Sequence, residues 1–143
     1  RQRGDGYHEA VVAHLTLLLV EISRLAADTA DDLKLHNDPV LNSVFTVIEQ
    51  RYHEPLSLKH VAAALNLTPG YLTTLVRRRT GRTVQEWITE RRMAQARRLL
   101  AETDLSVAAI ATRIGYADSG YFVRTFRRTH ATTPLRWRQA GRH

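Results

Sequence analysis

No cysteine occurs among the 143 residues, so disulfide frameworks, thiolate nucleophiles, cysteine-based zinc sites and iron–sulfur clusters are excluded, and a reducing compartment is permitted. Four prolines and seven glycines are too few for collagen or low-complexity sequence. Long apolar runs are also missing. The longest stretch, Ala10 to Ile22, is broken by His14, Thr16 and Glu21 and falls short of the roughly 18 uncharged residues a membrane helix needs. Glu21 and Arg24 argue against a signal peptide despite Arg1 and Arg3. A first residue of Arg rather than Met is expected of a fragment.

What is present is a 43% hydrophobic, 24% charged chain, the make-up of one globular domain plus an appendage. Its net charge of +7 conceals an asymmetry. Residues 1–38 hold four basic and seven acidic side chains (net −3), whereas residues 39–143 hold seventeen and seven (net +10). Sixteen of those seventeen cations are arginine, the planar donor suited to phosphates and guanine edges. They cluster as Arg77-Arg78-Arg79-Arg82, Arg91-Arg92, Arg97-Arg98, Arg127-Arg128 and Arg136-Arg138. Charge alone leaves two readings open, a solvated basic surface or a nucleic-acid partner.

The apolar periodicity is helical throughout, with no strand signal. Residues 8–30 read as one amphipathic helix with Val11, Leu15, Leu18, Ile22 and Leu25 spaced four, three, four, three. This seam suits self-pairing into a homodimer or packing on another domain. Asp28 to Asp38 form an acidic linker. Pro39 then opens a helix that Glu54-Pro55 closes. Ser57 is placed to cap a helix over Leu58–Leu65, and Thr68-Pro69 to open one to about Arg79 that Gly81 stops. Thr83-Val84-Gln85-Glu86 fits a capping box opening a long helix to about Ala101. Ser106 caps a short helix ended by Gly115, Asp118 caps another to about Thr129, and Thr133-Pro134 begin a last short turn.

One unit occurs twice. Leu56-Ser57, Val61, Ala62 and Leu65 recur 49 residues on as Leu105-Ser106, Ile110, Ala111 and Ile114. After the turn the offset becomes 50, so Gly70-Tyr71-Leu72, Val76 and Arg77-Arg78 recur as Gly120-Tyr121-Phe122, Phe126 and Arg127-Arg128. Each copy is a short Ala-rich helix, a tight turn and a longer basic helix. That is the helix-turn-helix arrangement, whose second helix lies in the DNA major groove. Ala62, Ala63, Ala64, Ala108, Ala109 and Ala111 are small enough for close helix crossing, while Leu72, Leu75, Val76, Phe122 and Phe126 fill the core. The sequence thus predicts an all-α fold of two helix-turn-helix subdomains, about 58–79 and about 106–129. A central helix, about 84–101, joins them, and the amphipathic helix of segment 1–38 precedes residues 39–143.

The outward faces of the second helices are the candidate base readers: Gly70, Thr73, Thr74 and Arg77 in copy one, and Ser119, Gly120, Val123, Arg124 and Arg127 in copy two. Arg124 suits a bidentate contact to guanine, whereas Thr73 and Thr74 offer a hydroxyl and a methyl useful against thymine. Copy two is therefore expected to read sequence more strictly. Thr68, Arg78, Arg79, Arg82, Arg128 and Arg136 are candidate phosphate clamps, because most protein–DNA hydrogen bonds go to the backbone. A joining helix of residues 84–100 is about 25 Å long. With the width of the flanking units, this suits the ~34 Å between successive major grooves on one face of B-DNA. On that helix Ile88, Met93, Ala96, Leu99 and Leu100 are expected to face the two units, with Arg92 a structural bridge.

The stretch "EPLSLKHVAAALNLTPGYLTTLVRRRTGRTVQEWITERRMAQARRLL", then "SVAAIATRIGYADSGYFVRTFRR" and "TPLRWR", resembles the DNA-binding domain of the AraC/XylS family of bacterial transcription regulators over about Leu41 to Gln139. The resemblance implies seven helices in two subdomains, promoter DNA as ligand, transcription activation with RNA polymerase as partner, and a cytoplasmic location. It also implies that residues 8–30 resemble the terminal dimerisation helix of a missing N-terminal domain, which would bind a small-molecule effector. Thr74, Val76 and Ala131 depart from the family's usual arginine, phenylalanine and glycine, which bears chiefly on base reading by copy one.

Two rival classes remain. For an enzyme, the seven histidines (8, 14, 36, 53, 60, 130 and 143) show no metal-binding spacing, and there is no Gly-rich phosphate loop or nucleophile–base motif. No cofactor or metal is therefore expected. DNA repair proteins that fuse such a domain to a methyl-accepting cysteine module are excluded by the lack of cysteine. A protein–protein module with an acidic partner is the second rival, separable by binding at ~0.2 M salt to a selected against a scrambled duplex.

Overall fold

The computed structural model describes residues 38–142, and among these it contains seven helices and no strand. They are α1 (Pro39–Arg51), α2 (Leu58–Ala64), α3 (Pro69–Thr80), α4 (Val84–Glu102), α5 (Val107–Arg113), α6 (Ser119–His130) and α7 (Pro134–Gly141). The amphipathic stretch 8–30 and its acidic linker lie outside the described residues. The last short turn proves to be a helix of eight residues, opened by Pro134 and capped by the Thr133 hydroxyl, which accepts from the Arg136 amide.

The two copies of the repeat share their backbone hydrogen bonds. After α2 the Leu67 amide donates to the Ala62 carbonyl at 2.9 Å, and after α5 the Tyr116 amide donates to the Ala111 carbonyl, also at 2.9 Å. This six-to-one bond closes a helix only if the residue before the donor is left-handed. Asn66 (φ +56°) and Gly115 (φ +104°) fill that position. The helix that follows then starts on a side-chain cap in each copy, Thr68 accepting from the Tyr71 amide and Asp118 from the Gly120 amide. Both end on a left-handed residue whose amide bonds four residues back, Gly81 in α3 and Ala131 in α6.

The first helices of the copies differ in their caps. Ser106 accepts from the Ala109 amide as expected. Ser57 occupies the cap position, but its hydroxyl is engaged with Nδ1 of His60 at 2.8 Å and makes no side-chain cap bond. The alanines need a similar correction. Ala62 and Ala111 are buried and Ala109 is half-buried, while Ala63, Ala64 and Ala108 are exposed, so close crossing rests chiefly on one alanine per copy.

Helix α4 is the spine. Both halves of its capping box are formed, with the Thr83 hydroxyl accepting from the Glu86 amide and the Glu86 carboxylate from the Thr83 amide. These bonds from Thr83 hold the Glu86 carboxyl below the usual range. Val84, Ile88, Met93, Ala96 and Leu100 follow on the buried side. Met93, Ala96 and Leu100 join Ile110, Ala111, Ile114, Tyr116, Phe122 and Phe126 in one core cluster, with Leu99 and Trp137 packed against it. In α1 to α3 the buried apolar residues include Leu41, Val44, Ile48, Val61, Leu72 and Val76.

Arg92 ties these halves together. It is only 6% exposed, and its guanidinium donates to the carbonyls of Tyr52 and Glu54, each at 2.8 Å, while lying 5.0 Å from the Tyr116 ring. The bridge thus runs from the end of α1, through the middle of α4, to the turn of the second copy. Burial pushes the Tyr116 phenol above its usual pKa, and the Arg92 charge opposes that shift. Helix α7 is held by Arg138, which donates to the Leu100 carbonyl at 3.0 Å, and Arg142 binds Asp104 at 2.8 Å. Among the described residues no helix is long and apolar enough to cross a membrane.

Candidate nucleic-acid interface

The arginines sort into two populations. Those of α1 and α4 are engaged by partners within the protein, Arg98 at its surface: Arg51 on Glu54, Arg91 on Glu49, Arg92 on backbone carbonyls, Arg97 on His130 and Glu90, and Arg98 on Glu102. Arg138 and Arg142 belong to this group. The arginines of the recognition helices and their flanks, Arg77, Arg78, Arg79, Arg82, Arg124, Arg127, Arg128 and Arg136, are all exposed. Periodicity produces the sorting. Leu72 and Val76, like Phe122 and Phe126, fall on the buried sides of α3 and α6, so residues one or two positions on are carried outward.

The candidate base readers occupy two levels. Gly70, Thr74, Arg77, Ser119, Arg124 and Arg127 are exposed, whereas Thr73, Gly120 and Val123 are half-buried. Val123 packs on the core cluster of the second copy. Thr68, the candidate phosphate ligand at the head of α3, is exposed while capping the helix. Arg82 lies 4.9 Å from the Trp87 ring, a stacking that steadies its guanidinium at the start of α4.

The start of α6 carries an arrangement that the sequence alone did not announce. Asp118 accepts from the Gly120 amide at 2.8 Å through one carboxylate oxygen, while its other oxygen lies 4.0 Å from the Arg124 guanidinium. The Arg124 guanidinium also lies 5.9 Å from the Tyr121 ring. A Cβ at Gly120 would stand 3.2 Å from Asp118 and 3.4 Å from Arg124, so glycine makes room for that pair. Gly70 has open space instead, with nothing within 4 Å. The Asp118–Arg124 pair, 4.0 Å apart with both side chains well exposed, adds little stability.

Comparison with known proteins identifies this arrangement. A helix-turn-helix domain family matches residues 61–140, more than half of the chain. The chain belongs to the AraC-type helix-turn-helix family. Among curated AraC-type relatives, the transcriptional activator RhaS of Enterobacter sp. (strain 638) is 36% identical over 104 residues, covering 73% of this chain and 37% of that protein. The C-terminal domain of AraT, a response regulator of Geobacillus stearothermophilus, superimposes with a TM-score of 0.70 at 29% identity, covering 72% of this chain and 86% of that one. The DNA-binding domain of AdpA, a global transcriptional factor solved with a target DNA, gives a TM-score of 0.68 at 29% identity, covering 74% and 95%. The chain spans less than half the length of the curated relatives it matches. Among the described residues no three His, Asp or Glu side chains gather as a metal site would require.

Proposed function

We propose that residues 39–143 form a sequence-specific double-stranded DNA-binding domain that places α3 and α6 in successive major grooves of promoter DNA. One observation carries the reading. Two helices that each start on a side-chain cap, bury equivalent residues (Leu72 and Val76, Phe122 and Phe126) and expose equivalent arginines (Arg77 and Arg78, Arg127 and Arg128) flank a single spine of 19 residues, roughly 28 Å long. In this reading Gly70, Thr73, Thr74, Arg77, Ser119, Gly120, Val123, Arg124 and Arg127 meet the base edges. Thr68, Arg78, Arg79, Arg82, Arg128 and Arg136 hold phosphates.

The resemblance to activators such as RhaS supports activation of transcription in the bacterial cytoplasm through contact with RNA polymerase. A role as a regulator rather than an enzyme goes with it. Pairing of two chains through residues 8–30, and effector binding outside residues 39–143, rest on the sequence pattern and the resemblance alone.

Selection of bound duplexes from a random pool tests the function. A consensus bound at ~0.2 M salt at least ten-fold more tightly than its scrambled form is the expected result. Equal affinity would instead favour an acidic protein as the partner of the basic face.

A further inference from the structure

Among the described residues three large apolar side chains are exposed, Tyr71 (54%), Tyr121 (49%) and Leu135. The two tyrosines are repeat equivalents. Each is the third residue of its recognition helix, after Pro69-Gly70 in α3 and after Ser119-Gly120 in α6. Exposure of a half-apolar ring at one register in both copies has no counterpart in either core. We propose that Tyr71 and Tyr121 are anchors for the DNA sugar–phosphate backbone, each laying its ring on a deoxyribose and donating its phenol to a phosphate. This rests on the DNA-binding reading above and adds two contacts to it.

Helix geometry places the tyrosines on the phosphate side. Tyr71 precedes Arg78, and Tyr121 precedes Arg128, by seven residues, two turns of helix, so each pair lies on one stripe about 20° from eclipsed. The candidate base readers 70, 74 and 77 in α3, and 120, 124 and 127 in α6, fall on the adjoining stripe. Tyr121 and Arg128 also line one open groove together with Arg82 at the start of α4, so the flank of α6 is continuous with a second exposed cation. The Tyr121 ring is 5.7 Å from that of buried Tyr116, which limits its freedom before any ligand arrives. A phenol at such a place offers a polyanion a neutral donor and apolar area, where arginine supplies charge. An acidic protein surface would have no reason to meet both copies at the same register, whereas a duplex presents the same backbone at each groove.

The test is titration of the whole chain, by fluorescence anisotropy, against its selected duplex. Tyr71→Ala and Tyr121→Ala are expected to raise Kd by about five- to twenty-fold and Tyr71→Phe and Tyr121→Phe by about two- to five-fold, the share of one hydrogen bond. The slope of log Kd against log salt should stay that of the parent, because no charge is removed, and base preference should stay unchanged in the Tyr71 variants; the Tyr121 ring lies 5.9 Å from the Arg124 guanidinium, so base preference is judged on Tyr71. Melting temperatures close to the parent's are expected of the Tyr71 variants and of Tyr121→Phe, which keeps the ring against Tyr116, and Kd for Tyr121→Ala is compared at a temperature where the variant is folded. Kd within two-fold of the parent for both alanine variants overturns the proposal. A change in base preference in the Tyr71 variants overturns it as well, by making that tyrosine a reader rather than an anchor. If Arg124→Ala still relaxes base preference while the tyrosine variants are silent, DNA reading stands and only the anchors fall. If the parent selects no duplex at all, the DNA reading itself fails.

Discussion

Gly115 packs against the carbonyl oxygen of Tyr52 so closely that a Cβ on Gly115 would lie 2.5 Å from it, and 3.0 Å from the Arg92 guanidinium that this carbonyl accepts. The glycine therefore does two things. It adopts φ +104°, where a side chain is strained, and it lets the turn of the second copy rest on the hydrogen bond that anchors the end of α1. Gly115→Ala should destabilise the domain by at least about 2 kcal/mol, from backbone strain plus overpacking. Urea unfolding would read this; a loss under about 0.5 kcal/mol would separate the turn from the bridge.

Arg92 is expected to be nearly as sensitive. Arg92→Ala leaves the Tyr52 and Glu54 carbonyls without their donor and should cost about 2–4 kcal/mol. Arg92→Lys keeps the charge but not the planar fork, and should recover less than half of that. Unfolding of both variants in the same buffer checks the order.

Ala131 stands at the position equivalent to Gly81 and holds φ +60°. Left-handed backbone costs alanine roughly 1–2 kcal/mol, and glycine gives back part of that in the unfolded chain. Ala131→Gly should raise stability by about 0.5–1 kcal/mol. A fall in melting temperature would contradict this reading of the α6 cap.

The periodic and capping features were legible in the chain itself, for identifiable reasons. The repeat at offsets 49 and 50 located both turns, because the six-to-one closure needs a left-handed residue and the short polar caps must follow it. Arg92 was legible as a bridge because it lies between Ile88 and Met93, on the side of α4 that its apolar residues mark as buried. Less legible were contacts set by tertiary approach. Nothing in the residue order tells Ser57 to bond His60 rather than a backbone amide, or makes Gly120 the space for Asp118 and Arg124. Val123 lies at an outward register, yet it is half-buried and packs on the core cluster of the second copy.

On the DNA face, Arg124→Ala should lose about 1–3 kcal/mol of binding and relax preference at one base pair. Asp118→Asn keeps a good helix cap but removes the charge beside Arg124, so it should blur that same base preference with little change in stability. Arg78→Ala should instead weaken all sequences alike and shallow the salt slope by about one unit. Competitive selection on the three variants separates these behaviours.

Glu86 sets a pH dependence. Its folded-state pKa is lowered by the bonds to Thr83, so the stability it contributes is present above its unfolded pKa, 4.5, and is lost as pH falls through the lower folded value. Glu86→Ala should therefore be less stable than the parent at pH 7, and the difference should shrink on acidification below about pH 4. A gap that is constant with pH would assign the loss to helix propensity instead.

The most direct measurement concerns the spacing of the two recognition helices. Once a bound duplex has been selected, five base pairs, about half a turn of B-DNA, are inserted between the segments protected by α3 and α6. The expected result is loss of affinity to near that of a duplex carrying one segment alone, with partial recovery on inserting a full turn only if the chain can flex. Unchanged affinity after the half-turn insertion would contradict simultaneous docking of both helices on one face of the duplex.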